Sequence, residues 1–202
     1  MERRLIRRHI SYKYILAAAL AATSAAQGAA QTQKVSLQLD PSQSEIHWTL
    51  GDVTHTVKGT FRLKGGMLAF DPKTGAAQGE ILVDIDSGDS GSPKRDQKMK
   101  KEVLESQKFP QAFFHPTRIS GVLKQGAAQE LIAEGTFNIH GADHPLTLKF
   151  AVQLDGANAI AQTHFVVPYV AWGMKDPSIL VLRVAKQVDV DVMIRGKVEG
   201  LP

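Results

Sequence analysis

The sequence of 202 residues contains no cysteine. This absence excludes disulfide bonds, thiolate metal sites, a cysteine nucleophile and a lipidated N-terminal cysteine. Since no disulfide can stabilise the fold, its stability has to come from a packed apolar core. The chain is long enough for one domain with such a core.

Without its first 30 residues, the chain has no excess of basic residues of the kind that binds nucleic acid. The chain has 24 Lys and Arg residues and 20 Asp and Glu residues. Residues 1–30 hold five of the basic residues and one acidic residue, which leaves 19 of each in residues 31–202. A net charge near zero favours no nucleic-acid partner. The densest cationic run, residues 94–101, is interpreted as a solvated helix face.

The N-terminus has the three parts of an export signal. Residues 1–13 contain all five basic residues of this segment, residues 14–22 are apolar, and residues 23–30 are mostly small. The apolar part is shorter than the ~20 residues that a membrane span needs. We therefore expect residues 1–30 to be a signal peptide and residues 31–202 to form one domain. The mature protein is expected to be periplasmic or secreted, without stable membrane insertion.

Apolar and polar residues alternate with a period of two through most of residues 31–202, which is typical of antiparallel strands with one buried face. Turn signals such as Asp155-Gly156-Ala157-Asn158 separate these runs. Eight or more long strands in one domain favour a sandwich or a closed barrel. We expect ten strands, some of which will merge, at residues 35–39, 45–51, 56–64, 66–71, 78–86, 111–120, 129–139, 145–155, 159–167 and 187–199.

One segment, residues 92–104, has the signals of a helix instead of a strand. Ser92 is suited to the N-cap, and Pro93 fits the first turn. Met99 and Val103 are spaced so that both would face the protein.

Motifs for catalysis and metal binding are weak. His140 and His144 flank a turn, and Asp84 and Asp86 follow one another on the polar face of a strand. A metal-dependent enzyme that uses such His and Asp residues is one alternative. The nucleophile-elbow, P-loop and dinucleotide-binding motifs are absent. We therefore expect no catalytic residue, no metal site, no cofactor and no enzyme activity.

Six short motifs occur in order along residues 36–199. They are Asp40-Pro41-x-x-Ser44-x-Ile46, Val57-x-Gly59-Thr60-Phe61, Lys94-Arg95-Asp96, Lys108-Phe109-Pro110-x-Ala112-x-Phe114, Gly135-Thr136-Phe137-x-Ile139-x-Gly141-x-x-His144-Pro145-Leu146-Thr147-Leu148, and a strand at 188–194 before Gly196. This order resembles the YceI-like family of exported polyisoprenoid-binding proteins.

The resemblance implies an all-β, lipocalin-like antiparallel β-barrel of about eight strands, with one short helix between strands. Its apolar tunnel would bind, transport or store an isoprenoid lipid, such as a quinone tail or a polyprenyl carrier, without turnover. The expected partner is this isoprenoid lipid or isoprenoid quinone. A second copy of the chain, in a homodimer, is a further candidate. Physically, a preformed apolar tunnel suits such a chain because burial of each methylene contributes about 0.8 kcal/mol.

Site residues follow from the resemblance and from the aromatic side chains on nearly every strand. The helix anchor would be Arg95 and Asp96. The rim or lid would be Tyr169, Trp172 and Met174, in a long loop. The tunnel lining would be Trp48, Phe61, Phe70, Phe114, Phe137, Leu148, Phe150, Val190 and Val192.

The helix departs from the family pattern, since Lys98 stands where the family usually has histidine and Met99 where it has leucine. If this helix touches the head of the lipid, the lipid bound here would differ. Periodicity alone also leaves a further alternative open. It is an envelope stress or structural protein whose barrel is filled by its own side chains.

Overall fold

The computed structural model describes residues 34–51, 55–179 and 183–201. The expected signal peptide, residues 1–30, lies outside them. The described residues form nine strands and one α-helix, α1 (Pro93–Lys98), which continues as a π-helical segment, Met99–Val103. The strands are β1 (Val35–Leu39), β2 (Glu45–Gly51), β3 (Thr56–Phe70), β4 (Ala77–Asp89), β5 (Gln111–Gly121), β6 (Gln129–Ile139), β7 (Ala142–Asp155), β8 (Asn158–Val167) and β9 (Val188–Glu199).

The nine strands form a closed antiparallel barrel with eight strand positions. Strands β1 and β2 share one position, because each pairs with β3 on one side and with β9 on the other. From β9 the sheet runs through β8, β7, β6, β5 and β4, and pairing of β4 with β3 closes it. The expected all-β barrel of about eight strands with one short helix is confirmed.

A 3₁₀ turn, Pro41–Gln43, separates β1 from β2 within their shared position. The Asp40 carboxylate accepts hydrogen bonds from the Ser42 amide (2.9 Å) and the Ser42 hydroxyl (2.6 Å). The Asp40 amide donates to the Arg195 carbonyl of β9 at 2.8 Å. These contacts give the Asp40-Pro41 motif a structural role, which is to bend the strand position while the barrel stays closed.

The two strands expected at residues 56–64 and 66–71 are one strand, β3. Lys64-Gly65-Gly66 forms an irregularity in its pairing with β4, with a register shift between Leu63 and Gly65, and not a turn. Such a shift reverses which residues face inward. Leu63 faces the core before it, and Leu68 and Phe70 face the core after it.

The barrel has two unlike ends. At the filled end, where β1 lies, the core is packed by side chains such as Val35 and Leu154, which are only 2% and 1% exposed. At the other end, here called the mouth, lie the β2–β3, β4–β5, β6–β7 and β8–β9 connections. The helical segment belongs to the β4–β5 connection and therefore lies at the mouth.

The helix predicted at residues 92–104 is present, but its start differs from the expectation. Ser92 occupies the N-cap position without a side-chain capping bond, so its predicted capping role is wrong. Its backbone carbonyl accepts a hydrogen bond from the Asp96 amide at 2.9 Å instead.

Among the described residues, no helix is long and apolar enough to cross a membrane.

Candidate ligand-binding site

A cavity of about 520 Å³ occupies the mouth half of the barrel. Apolar side chains from every strand between β2 and β9 line it. Its volume lies within the range of roughly 300–1,000 Å³ that is common for small-molecule sites. A barrel whose filled end is closed by its own core therefore keeps an apolar chamber open at the other end.

Eight of the nine residues predicted for the tunnel lining surround this cavity, and their contact with a ligand stays a prediction. Phe70 is the exception. It lies at the last position of β3, opposite Val35 and Ala77, and packs in the filled end. The register shift turns its side chain inward, but Phe70 lies too close to the filled end to border the cavity. The eight lining residues are Trp48, Phe61, Phe114, Phe137, Leu148, Phe150, Val190 and Val192.

Most of the lining residues predicted from the sequence are aromatic, and much of the aliphatic lining was not predicted. The alternation of apolar residues in β4 was a sufficient signal for three of them, and the helical segment supplies three more. Residues that face inward on the other strands complete the cavity wall. The missed residues include Ile46, Leu50, Val57, Ile81, Val83, Ile85, Met99, Val103, Leu104, Ile139, Leu146, Phe165 and Ile194.

Trp48 lies flat against the barrel wall because its neighbour across the β2–β3 pair is Gly59. A Cβ atom on Gly59 would lie 2.3 Å from Trp48 Cζ2 and 2.4 Å from the Asp89 carbonyl oxygen. Only glycine leaves room for this approach. The Phe61 ring lies beside the indole, with 6.4 Å between ring centroids. The Val57-x-Gly59-Thr60-Phe61 motif thus shapes one wall of the cavity.

Two polar atoms of cavity-lining residues are buried without a hydrogen-bond partner among the described residues. They are Trp48 Nε1 and Thr163 Oγ1. Their residues are 5% and 8% exposed. A buried polar atom without a partner is costly, but both atoms are enclosed by protein, so a ligand in the cavity reaches neither without a local rearrangement.

The loop between β8 and β9 lies at the mouth, and a role of its residues as a rim or lid stays a prediction. Tyr169 and Met174 line the cavity, and the Tyr169 hydroxyl donates to the Ala185 carbonyl at 2.7 Å. Burial raises the pKa of Tyr169 to about 12, so this hydroxyl stays protonated. Trp172 is outside the lining. Its indole stacks on the His144 ring, with centroids 4.0 Å apart, and holds the loop to the rim.

An ion pair joins this lid to the helical segment. Lys175 Nζ donates to Glu102 Oε2 at 2.7 Å. The hydrogen bond from Lys175 holds the pKa of Glu102 below its ordinary value, with help from the lysine charge. The loop and the helical segment at the mouth are therefore connected by an exposed contact.

Arg95 and Asp96 both contact Ser90, in the short segment between β4 and α1. Arg95 Nε donates to Ser90 Oγ and Arg95 Nη2 to the Ser90 carbonyl, each at 2.7 Å. Asp96 accepts from the Ser90 amide at 2.9 Å and from its hydroxyl. This geometry ties the start of the helix to the end of β4. Arg95 also borders the cavity.

The far end of the helical segment is held by the β6–β7 turn. His140 Nε2 and Glu105 Oε2 are 2.6 Å apart. Gly141 has φ +74°, and a Cβ there would lie 2.4 Å from the Phe109 ring. Glycine is needed at this position on both counts. The Phe109 and Gly141 motifs of the sequence therefore meet in space and fix the linker that leads into β5.

The mouth also carries positive charge, a location that the sequence alone does not predict. Lys94, Arg95 and Lys98 are exposed and border the cavity. Neither Lys94 nor Lys98 forms an ion pair within the described ranges. The residues predicted as a solvated helix face thus also surround the opening of an apolar chamber.

The histidine and carboxylate candidates are not brought together. His140 contacts Glu105, the Asp143 carboxylate accepts from Asn138 at 2.6 Å, and His144 stacks on Trp172. In the part of the chain that the structure describes, no group of three or more His, Asp or Glu side chains is arranged to hold a metal ion.

The comparisons with known proteins agree with this geometry. A BcnA structure from Burkholderia cenocepacia has a TM-score of 0.63 and 21% identity, covering 78% of this chain and 98% of its own. A polyisoprenoid-binding domain from Saccharophagus degradans, implicated in plant cell wall breakdown, has a TM-score of 0.59 and 14% identity, covering 81% and 98%.

A YceI protein from Campylobacter jejuni is also similar, with a TM-score of 0.55 and 14% identity, covering 70% of this chain and 84% of its own. No curated protein sequence matches the chain. The model of the YceI-like domain matches residues 37–196, which is most of the chain. Within the barrel, this range omits only the first two residues of β1 and the last three of β9. The chain therefore belongs to the family of proteins with a YceI-like domain.

Proposed function

We propose that this protein binds an isoprenoid lipid in the barrel cavity and carries or stores it outside the cytoplasm, without chemical turnover. The observation that carries the proposal is the cavity itself, an apolar chamber of about 520 Å³ that opens at one end of the barrel. A similar fold is described as a polyisoprenoid-binding domain in Saccharophagus degradans, which supports this ligand class.

The energetics suit a long hydrocarbon chain. Each methylene transferred from water into the cavity contributes about 0.8 kcal/mol. Because the walls are strands of a closed barrel, little ordering accompanies binding, and less of that energy is lost. A quinone tail or a polyprenyl carrier would gain enough affinity from its chain alone.

The alternative of a barrel filled by its own side chains applies to only half of the molecule. Val35 and Leu154 pack the filled end, whereas Phe137 and Val192 border open space. Binding without turnover is supported by the described part of the lining, which is almost entirely apolar and holds no nucleophile paired with a base.

Mass spectrometry of organic extracts would test the proposal. The protein would be purified without detergent exchange from its own envelope fraction, beside Phe137→Arg and Phe113→Arg variants. Phe137 lines the cavity, whereas Phe113, on the neighbouring strand, does not. Both variants would first be compared with the wild type by thermal unfolding.

The proposal predicts a stoichiometric prenyl lipid in the wild type and in Phe113→Arg, and none in a folded Phe137→Arg. An intact mass that lacks the N-terminal segment up to about residue 30 would support export. Absence of lipid from every sample, or equal lipid in both folded variants, would contradict the assignment of the cavity.

A further inference from the structure

Positive charge is concentrated in one short segment at the mouth. Within residues 94–101, five side chains are basic and one, Asp96, is acidic. The rest of residues 31–202 holds 14 basic and 18 acidic side chains, so the segment has a net charge of +4 and the remainder −4. We call the five side chains the basic mouth surface: Lys94, Arg95, Lys98, Lys100 and Lys101.

Within the residues that the structure describes, this charge is only partly offset by carboxylates. Four of the five side chains are exposed, and Lys100 is half-buried. None of the four lysines forms an ion pair in the described part of the chain. Asp96 bonds to Ser90 and Glu102 pairs with Lys175, although the Lys98 and Lys101 charges also act on Glu102. The basic mouth surface is thus available to an anionic partner.

The lid adds the second feature of a membrane-facing surface. Ile179 is 60% exposed and lies two residues after Pro177, which borders the cavity. Arg183 and Lys186 are also exposed in this loop, on either side of the cavity-lining Val184. Cations and an exposed apolar side chain therefore surround the same opening.

We propose that the mouth docks on an anionic lipid bilayer, with the basic mouth surface against the phosphate headgroups and Ile179 at the interface. A basic, partly helical surface beside exposed apolar atoms is suited to such a plane. Nucleic acid fits less well, because it offers no apolar phase for the exposed Ile179 side chain. In this position the cavity opens toward the bilayer.

Docking of this kind is reversible. Each Lys or Arg near an anionic bilayer strengthens binding about fivefold, and salt weakens the effect. Several such residues give a measurable but salt-sensitive association. The docking stands independently of what the cavity holds. Its use for collecting or delivering a lipid rests on the proposed function.

Vesicle co-sedimentation would test the docking. The purified protein would be mixed with vesicles of phosphatidylcholine alone or of equal parts phosphatidylcholine and phosphatidylglycerol. The test variant is Lys100→Glu/Lys101→Glu, because neither residue borders the cavity. The control is Lys73→Glu/Lys124→Glu, which changes the net charge equally, on exposed residues in the turns at the filled end.

We expect the wild type and the control to bind only the phosphatidylglycerol vesicles, and the test variant to bind at least about 25-fold more weakly. Equal binding to both vesicle types, or an equal loss in the control, would overturn the docking. Extraction of lipid from the same samples separates the two proposals. Retained lipid without vesicle binding overturns docking alone, and vesicle binding without retained lipid overturns the proposed function alone.

Discussion

Replacing Val192 with phenylalanine should block the cavity without unfolding the barrel. Val192 lies at mid-length in β9, between Ile46 of β2 and Thr163 of β8 in the pairing register. All three residues line the cavity. The larger ring would therefore project into open space and not into a packed core.

The size of the effect follows from the atoms added. Phenylalanine adds about four carbon atoms, and a ligand that has to give up the same volume loses about 3 kcal/mol at 0.8 kcal/mol for each carbon. This corresponds to a dissociation constant roughly 100-fold higher. Stability should stay the same or rise, because the ring buries apolar surface in existing space.

The assay is displacement of a fluorescent prenyl probe, combined with thermal unfolding. Val166→Phe is the matched control, since it makes the same change on β8 at a residue that is 37% exposed and does not border the cavity. If Val192→Phe folds normally and binds the probe as tightly as Val166→Phe and the wild type, the ligand is not held inside the barrel, and the reasoning is refuted.

Three further predictions concern the wall and the lid. Gly59→Ala should lower stability by about 1–3 kcal/mol and shift Trp48 fluorescence, because the new Cβ would lie 2.3 Å from the indole. Unchanged unfolding and fluorescence would contradict this packing. Tyr169→Phe should cost about 1 kcal/mol and speed ligand release, which stopped-flow dilution would detect. Acid should also speed release. The pKa of Glu102 is lowered from 4.5 in the folded protein, so its contact with Lys175 contributes fully above pH 4.5 and is lost as the pH falls through the lowered value. A Lys175→Ala variant should lose the part of this acid dependence that comes from the pair, and an identical pH profile would refute the role of the pair.

Most of the fold could be predicted from the strand pattern. In β6 and β7 the apolar residues alternate without interruption, so Phe137, Leu148 and Phe150 were assigned to the correct face. Alternation fails where the backbone is irregular. Residues 64–66 resemble a turn in the sequence, because two consecutive glycines are typical of one, but the closing pair of strands carries them through as a bulge.

The candidate site was less predictable, because position along the barrel axis leaves no local signal. Phe70 and Phe61 have the same residue type and both face inward, yet only Phe61 reaches the cavity. Lys94 and Lys98 could be predicted as exposed helix residues but not as neighbours of the opening. Their place depends on how the β4–β5 connection crosses the mouth, which no single segment encodes.

The dependence of affinity on chain length tests the central claim most directly. A series of prenyl alcohols of increasing length would compete with the fluorescent probe for the wild-type protein and for Val192→Phe. If the cavity holds the chain, affinity should rise with each added isoprene unit, then level off once the cavity is full. The plateau should come at a shorter chain in Val192→Phe. Affinity that does not change with length, or identical plateaus in the two proteins, would contradict binding of an isoprenoid chain in the barrel.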